Sequence, residues 1–351
     1  LYLWCGTDFA LPSAIFVPVT TEHGTFVAHA YPYAPDRSTF LIETDGETWR
    51  RAGFDISTNA TDLADSDEVS LRYLETAFAE TLQQHGLIGN RTRWLQFRTV
   101  TCRRWSTGNV VLLGDAAHTA HYSIGSGTKL AMEDAIALDA TLSAATTVDD
   151  ALAEYERIRR PAVEHLQQIA KRSEHWWESF PQRMDLPVEQ LMVAYMTRAG
   201  KVGLGRFLES APEVAWAGIA AYGGVDAGFE APVDVVDWVL NRPLEHGGRR
   251  FDDRTAPPSL RVEATTTVLS VDVESAWDEK ATALVDEVRA SAAVWLTGPD
   301  DRAHVLTRID LAERMLRSTG ALMTVDVPAA CLPDAAAGLV SVRTHLVSVT
   351  S

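Results

Sequence analysis

The first 43 residues consist of short apolar stretches separated by polar turns. Apolar and polar positions of this kind, rich in β-branched and aromatic residues, predict β-strands. Three strands are predicted, at residues 14–19, 25–30 and 38–43. Because tight turns join neighbouring strands in opposite directions, we expect these strands to form an antiparallel sheet.

The spacing changes after a turn predicted at Asp45-Gly46. Apolar residues recur every three or four positions in 67–84, which predicts a helix. Residues 110–113 form a short apolar run that predicts a buried strand. Helical spacing then resumes at 127–138 and continues, with many aromatic residues, through 148–221.

A second change of pattern follows the polar, Gly- and Pro-rich segment 247–258, which is typical of a linker. Beyond it, strands predicted at residues 268–273, 293–296, 322–327 and 346–349 alternate with helices. Strand–helix alternation predicts a small parallel sheet. The fold class is therefore α/β (α+β). Four regions are predicted: a β-sheet region (1–107), a central helical region (108–246), a linker (247–260) and a small α/β module (261–351).

Composition narrows the classes of function. The chain of 351 residues is long enough for two or three domains and is 46% apolar. A net charge of −17 would repel nucleic acid and anionic membrane, so neither is an expected partner. The sequence contains no apolar run long enough to span a bilayer and no recognisable leader, which favours the cytoplasm. Three widely spaced cysteines argue against a disulfide framework and a zinc cluster, and no metal site is expected.

Candidate chemistry is concentrated after the strand predicted at 110–113. The strand ends at Gly114-Asp115, which places a carboxylate at its carboxyl end, and Gly125-x-Gly127 opens the following helix. Backbone N–H groups at a helix start can bind an anion or an electron-rich carbonyl. A carboxylate beside such a helix start suits a polyol linked to an electron-accepting ring, as in a flavin.

These residues also resemble a known motif. Gly114-Asp-Ala-Ala-His118 with Gly125-x-Gly127 and Asp134-Ala135 resembles the second FAD motif of the single-component aromatic hydroxylases. The longer string from Ala120 to Asp134 is similar to the branch that acts on aryl-CoA thioesters, the salicylyl-CoA 5-hydroxylases and 2-aminobenzoyl-CoA monooxygenases. The resemblance implies the C-terminal part of an FAD-binding hydroxylase fold with an antiparallel substrate-side sheet.

The resemblance implies an NAD(P)H- and FAD-dependent monooxygenase of aromatic compound degradation. NADH or NADPH reduces the flavin, O₂ adds at C4a, and the hydroperoxide transfers oxygen to the ring. Asp115 would bind a ribityl hydroxyl, while the helix start would face the N1–C2=O edge of the flavin. Lys129 would add to the stabilisation of the reduced ring. The residues expected to bind the cofactor are Gly114, Asp115, Gly125, Ser126, Gly127, Thr128 and Lys129.

Substrate and catalytic residues are predicted around the same loop. His121 and Tyr122 are candidates to orient or deprotonate a ring substituent, with His118 as a third candidate or a structural histidine. His29 and Tyr31 are candidates on the sheet. Arginines cluster just before the motif, either as a phosphate-binding patch or on the solvent face of a strand pair: Arg91, Arg93, Arg98, Arg103 and Arg104. Of these, Arg103 and Arg104 are the predicted substrate residues.

Three functions remain open. The first is an aryl-CoA hydroxylase that is incomplete at its N-terminus, because no Gly-x-Gly-x-x-Gly follows a strand upstream of Gly114. The second is a hydroxylase of a free aromatic acid or natural product. The third is a non-catalytic fragment, or a module that works beside a partner supplying the ADP-binding half. Residues 261–351 resemble the last units of an ene-reductase barrel, without that family's flavin-binding residues. Assembly into a homo-oligomer is left open.

Overall fold

The computed structural model describes residues 1–350, and the chain divides into two compact units, residues 1–181 and 182–351. None of the described helices is long and apolar enough to cross a bilayer. The four-region division predicted from the sequence, with its linker at 247–260, stays a prediction.

A five-stranded sheet dominates the first unit, in the order β2-β3-β4-β1-β5. All of its strand pairs are antiparallel, so the predicted antiparallel sheet is confirmed. The three predicted strands are β2, β3 and β4, and the structure adds β1 and β5, which extend the sheet beyond β4. The strands are β1 (Tyr2–Thr7), β2 (Ile15–Thr21), β3 (Gly24–Ala34), β4 (Arg37–Glu43) and β5 (Leu87–Ile88).

Four short helices cover one face of this sheet and bury a core that includes Leu3, Phe26, Phe40 and Phe54. They are α1 (Gly46–Arg51), α2 (Phe54–Ala60), α3 (Glu68–Ala77) and α4 (Ala79–Leu82). The helix predicted over 67–84 is interrupted at Phe78, whose φ of −101° and ψ of 22° leave the helical region.

The turn predicted at Asp45-Gly46 is instead the start of α1. The Asp45 carboxylate accepts hydrogen bonds from the backbone N–H groups of Glu47 and Thr48, at 2.9 and 2.8 Å. An aspartate in this position satisfies N–H groups that the helix itself leaves without a partner. The Asp-Gly pair therefore caps a helix rather than closing a hairpin.

The buried strand predicted at 110–113 is wrong in length and burial. Only Val110–Val111 (β7) is extended, and it pairs with Ser106–Thr107 (β6) as a two-stranded ribbon. Val110 is 57% exposed. An apolar run is buried only where other elements cover both of its faces. Within the described residues, β7 pairs with β6 along one edge, and Val110 stays exposed.

Two long helices complete the first unit, α5 (Gly127–Ala144) and α6 (Val148–Glu178). They pack on each other around a small core with Trp105, Leu130 and Tyr155. The outer face of α5 is apolar at Met132 and Ile136, which are 61% and 70% exposed.

The second unit joins a helical cluster to a four-stranded sheet. Its helices are α7 (Val188–Thr197), α8 (Leu204–Ser210), α9 (Pro212–Gly223), α10 (Val235–Leu240), α11 (Pro258–Arg261), α12 (Glu279–Glu287), α13 (Arg302–Thr319) and α14 (Leu332–Val340). Its strands are β8 (Leu244–His246), β9 (Arg249–Phe251), β10 (Thr266–Ser270), β11 (Ala293–Thr297), β12 (Leu322–Pro328) and β13 (Leu346–Thr350).

Strands β10 to β13 lie side by side in chain order and are all parallel, which confirms the predicted small parallel sheet. The segment predicted as a linker contains β9, which forms a hairpin with β8 just before the segment, and Thr255 forms a parallel bridge with Val347 of β13. These pairings tie residues 247–258 to the sheet that follows them.

Candidate functional site

The turn that follows β7 is held against α5 by a close approach of backbone. Residues Gly114–Ala116 form a short 3₁₀ turn in which Gly114 has a φ of +55°. A side chain at this position would place its Cβ 2.9 Å from the Cβ of Ala131 on α5. Glycine is required both by the left-handed backbone and by the lack of space.

A buried carboxylate connects this turn to both long helices. Asp134 on α5 is fully buried and accepts three hydrogen bonds: from the backbone N–H of Gly114 (2.9 Å), His118 Nε2 (2.7 Å) and Arg159 Nε (2.8 Å). We call these four residues the Asp134 clamp. A buried carboxylate is stable only when it is paired and hydrogen-bonded. The clamp therefore fixes the start of the Gly114-Asp115 turn relative to α5 and α6.

Sequence reasoning did not identify the Asp134 clamp, although one signal was available. Asp134 lies one turn from Leu130 and two turns from Thr141, all on the buried face of α5. An aspartate on an apolar helix face requires a buried cation. Arg159, 25 residues later on α6, could not be chosen from among the arginines of that helix by spacing alone.

Asp115 is not a member of the Asp134 clamp. Its side chain is exposed and makes no hydrogen bond within residues 1–350. It therefore neither caps a helix nor closes the turn, and its carboxylate can accept a hydrogen bond from a ligand.

The start of α5 is open in the way the sequence predicted. Ser126 provides no side-chain cap for its N–H groups. Gly125 has a φ of +61°, and a Cβ added at Gly125 or Gly127 would meet no atom within 4 Å. This end of α5 thus offers backbone donors and free space, which fits the edge of a planar ring carrying a carbonyl.

Ser126, Thr128 and Lys129 were also predicted to bind the cofactor. Ser126 is buried and its hydroxyl donates to the Ile124 carbonyl at 3.2 Å, whereas Thr128 is exposed. The Lys129 ammonium pairs with Glu133 on the next turn of α5, and this hydrogen bond lowers the pKa of Glu133. The role of these residues toward a flavin stays a prediction.

The structure separates His118 from the other two predicted catalytic residues. His118 is 2% exposed, donates to Asp134 through Nε2, and its ring lies 5.0 Å from that of Trp105. Its Nδ1 is buried without a hydrogen-bond partner in the described part of the chain. His118 thus lies inside the Asp134 clamp, as expected of a structural histidine.

His121 and Tyr122 come together at a small cavity of about 40 Å³, which we call the tyrosine pocket. Their rings are 4.3 Å apart, and the Tyr2 ring is 5.0 Å from that of Tyr122. The Tyr122 hydroxyl donates a short hydrogen bond to Glu43 at the end of β4. Four carboxylates line the pocket: Glu43, Asp45, Glu174 and Glu178.

Two ionisations in the tyrosine pocket are shifted. Burial, reinforced by the neighbouring Glu43 carboxylate, raises the pKa of Tyr122 far above its usual value. Burial and the charge of Glu178 raise the pKa of Glu174. The pocket therefore disfavours further negative charge.

The other predicted substrate residues lie elsewhere. His29 stacks on Phe16 (4.4 Å between ring centroids) and lies 5.5 Å from the Tyr31 ring, but neither His29 nor Tyr31 lines the tyrosine pocket. Arg103 and Arg104 are exposed, and the Arg103 carbonyl accepts a hydrogen bond from Arg160 at 3.2 Å.

A larger cavity of about 620 Å³ lies between β1, β4 and the segment after β5. We call it the arginine cleft, because three of its lining residues are Arg37, Arg91 and Arg93. Sequence reasoning grouped Arg91 and Arg93 with the exposed Arg103 and Arg104, and it missed Arg37.

Comparison with known proteins relates most of the first unit to a known family. Residues 10–170 match the FAD binding domain family. This segment is similar to an FAD binding domain. It contains the Asp134 clamp, Asp115 and the open start of α5, and the cofactor of the matching family is the one predicted from the sequence.

Two relatives each match a little over half of this chain. The salicyloyl-CoA 5-hydroxylase of a Streptomyces species is 49% identical over 180 residues, which cover 51% of this chain and 35% of the relative. The 3-hydroxy-4-methyl-anthranilyl-[aryl-carrier protein] 5-monooxygenase of Streptosporangium sibiricum is 45% identical over 201 residues, covering 57% of this chain and 50% of the relative. The chain thus spans a third to a half of the length of these relatives.

Among solved structures, the P. aeruginosa PqsL complex with 2-aminobenzoylacetate aligns with a TM-score of 0.36 and 25% identity. The alignment covers 50% of this chain and 48% of that one.

The shifted ionisation of Tyr122 in the first unit is testable. Because burial disfavours the phenolate, the folded chain loses stability as pH rises above about 10, where Tyr122 of the unfolded chain ionises. We expect Tyr122→Phe and the parent chain to show the same tyrosinate absorbance when titrated to about pH 11. In urea, where the pocket is lost, the variant should show one tyrosinate fewer out of eight. If folded Tyr122→Phe already showed one tyrosinate fewer than the folded parent chain, the burial of Tyr122 would be contradicted.

Proposed function

We propose that the chain contributes flavin-side and substrate-side residues of an FAD-dependent monooxygenase that hydroxylates an aromatic ring presented as a thioester. One observation carries the proposal. The segment that matches the FAD binding domain family holds an exposed, unpaired Asp115 beside the open start of α5, and the Asp134 clamp fixes the two relative to each other.

The residues present fit FAD. The Asp115 carboxylate would accept a hydrogen bond from a ribityl hydroxyl. The N–H groups at Gly127 and Thr128 would face the carbonyl edge of the ring, where the partial positive charge of a helix start favours negative charge. When bound, FAD would supply the redox chemistry, with NADH or NADPH as the electron source and O₂ as the oxidant.

The tyrosine pocket supports a ring that donates hydrogen bonds. Its four carboxylates would accept from a phenol or aniline group and would repel a free carboxylate. His121 and Tyr122 would border the ring and orient its polar substituent. The relatives named above act on a CoA thioester and on a carrier-protein thioester, in which the acid group is masked. This favours an aryl thioester over a free aromatic acid. The cytoplasmic location predicted from the sequence is kept as part of the proposal.

The first test measures FAD binding by the parent chain and by the Asp115→Ala variant, with quenching of flavin fluorescence as the readout. Losing one hydrogen bond to the ribityl chain should raise the dissociation constant about tenfold, equivalent to about 1.4 kcal/mol. Asp65→Ala, which removes an exposed carboxylate outside both cavities, is the matched control and should bind FAD like the parent. Incubation with FAD, NADH and salicyloyl-CoA should then yield a product heavier by one oxygen atom. Failure of the parent chain to bind FAD would refute the proposal.

A further inference from the structure

The arginine cleft is positively charged in a strongly acidic protein. Its lining residues include Arg37, Arg91 and Arg93 but no aspartate or glutamate, although the chain carries a net charge of −17. The tyrosine pocket, by contrast, is lined by four carboxylates. The two cavities of the sheet region therefore select opposite charges.

The arginines of the cleft are poorly paired. Neither Arg91 nor Arg93 forms a hydrogen bond or ion pair through its side chain within residues 1–350, and Nη1 of Arg93 is buried without an acceptor. Arg91 also holds a left-handed backbone with a φ of +54°. Arg37 contacts the exposed Asp36 at 3.0 Å. Guanidinium groups without protein acceptors can bind a phosphate through paired N–H donors.

Apolar side chains complete the cleft. Trp4, Tyr33 and Leu95 are 50%, 64% and 47% exposed, and all three line it. Exposed aromatic groups next to arginines can stack a base or cover an aliphatic chain while the guanidinium groups hold a phosphate.

The cleft adjoins the tyrosine pocket. Trp4, which lines the cleft, has its ring centroid 6.4 Å from that of Tyr122, which lines the pocket. The two cavities also share one extended segment, since Leu95 lines the cleft whereas Gln96 and Phe97 line the pocket. A ligand with a ring at Tyr122 can therefore extend along β1 into the cleft.

We propose that the arginine cleft binds the phosphorylated pantetheine arm of an aryl thioester while the polar substituent of the ring enters the tyrosine pocket. Arg91 and Arg93 hold the phosphate groups, and Trp4 covers the apolar part of the arm. This assignment replaces Arg103 and Arg104 as the residues that select the anionic end of the substrate. The nature of the ring, but not the phosphate chemistry of the cleft, rests on the function proposed above.

The test compares three thioesters of 2-hydroxybenzoic acid that share the ring: those of CoA, phosphopantetheine and N-acetylcysteamine, the last without any phosphate. Binding to the full chain is measured by calorimetry. Arg91→Gln/Arg93→Gln should weaken the CoA thioester at least tenfold and leave the N-acetylcysteamine thioester unchanged. If the variant weakens the phosphopantetheine thioester as strongly as the CoA thioester, the cleft holds the phosphate that the two share, which supports the proposal. A loss confined to the CoA thioester overturns it, because the cleft would then hold the nucleotide end and not the arm.

Two further variants guard against a general effect of lost charge. Arg72→Gln/Arg206→Gln removes two exposed arginines that line neither cavity and should bind all three thioesters like the parent. Arg91→Lys/Arg93→Lys keeps the charge and should restore part of the affinity for the CoA thioester. In the parent chain, added salt should lower that affinity.

The outcomes separate this inference from the proposed function. The inference is overturned if the parent chain binds the CoA thioester no more tightly than the N-acetylcysteamine thioester. It is also overturned if Arg103→Gln/Arg104→Gln lowers the affinity for the CoA thioester and Arg91→Gln/Arg93→Gln does not. If the parent chain transfers oxygen to the ring and the Arg91→Gln/Arg93→Gln variant binds the CoA thioester like the parent, the proposed function is kept and the role of the cleft is rejected. Phosphate-dependent binding that the cleft variant abolishes, without oxygen transfer by the parent, would support the cleft alone.

Discussion

Asp134→Ala is expected to destabilise the first unit by about 3–5 kcal/mol, since removing one member of a buried ion pair leaves an uncompensated charge. The charge left behind is that of Arg159, whose side chain is 9% exposed and whose Nε loses its acceptor. The Gly114 N–H and His118 Nε2 lose the same carboxylate. The measurement is hydrogen exchange of the α5 and α6 amides, which reports on this unit without requiring two-state unfolding of the whole chain.

The control for this substitution is Asp139→Ala on the same helix. Asp139 is exposed, and its substitution should change the free energy of opening derived from the exchange rates by less than about 0.5 kcal/mol. FAD affinity should fall with Asp134→Ala and not with Asp139→Ala, because the Asp134 clamp positions the Asp115 turn. Equal exchange rates in the two variants would mean that the clamp contributes nothing to stability.

Gly127→Val is expected to abolish FAD binding, with a loss of at least about 100-fold, or about 2.7 kcal/mol. A Cβ at Gly127 enters open space at the start of α5, where the flavin edge would lie. The protein itself should tolerate the change: Gly127 has no positive φ, and valine has a better helix propensity than glycine. The measurement is a flavin titration beside a thermal unfolding curve.

Gly205→Val supplies the matched control. Gly205 is also in the first turn of a helix, α8, also without a positive φ and with no atom within 4 Å of its Cβ. It should bind FAD like the parent. Retention of FAD by Gly127→Val at parental affinity would place the ring away from this helix start.

Much of the architecture follows from local sequence. Strands β2 to β4 and β10 to β13 could be predicted because alternation and short apolar runs are properties of neighbouring residues. The open start of α5 could be predicted for the same reason, because Gly125 and Gly127 lie only two residues apart where the helix begins. Asp45 shows the limit of such reasoning, because an Asp-Gly pair serves a turn and a helix cap equally well.

The parts that were missed depend on residues distant in sequence. Arg159 reaches Asp134 across 25 positions, and Arg37 meets Arg91 and Arg93 only because β4 and the segment after β5 both flank β1. Pattern alone identified an arginine-rich stretch but could not say which of its members share a cavity. The exposure of Val110 was missed because an apolar run predicts burial whether or not a covering element is present.

The apolar outer face of α5 has a consequence for handling the protein. Met132 and Ile136 present an attractive surface to other molecules, and Val110 on β7 adds another exposed apolar side chain. At low ionic strength the net charge of −17 keeps molecules apart, but at about 0.15 M salt that repulsion reaches only about 8 Å. Colloidal stability should thus decline as salt is raised, and concentrated stocks are best kept in dilute buffer.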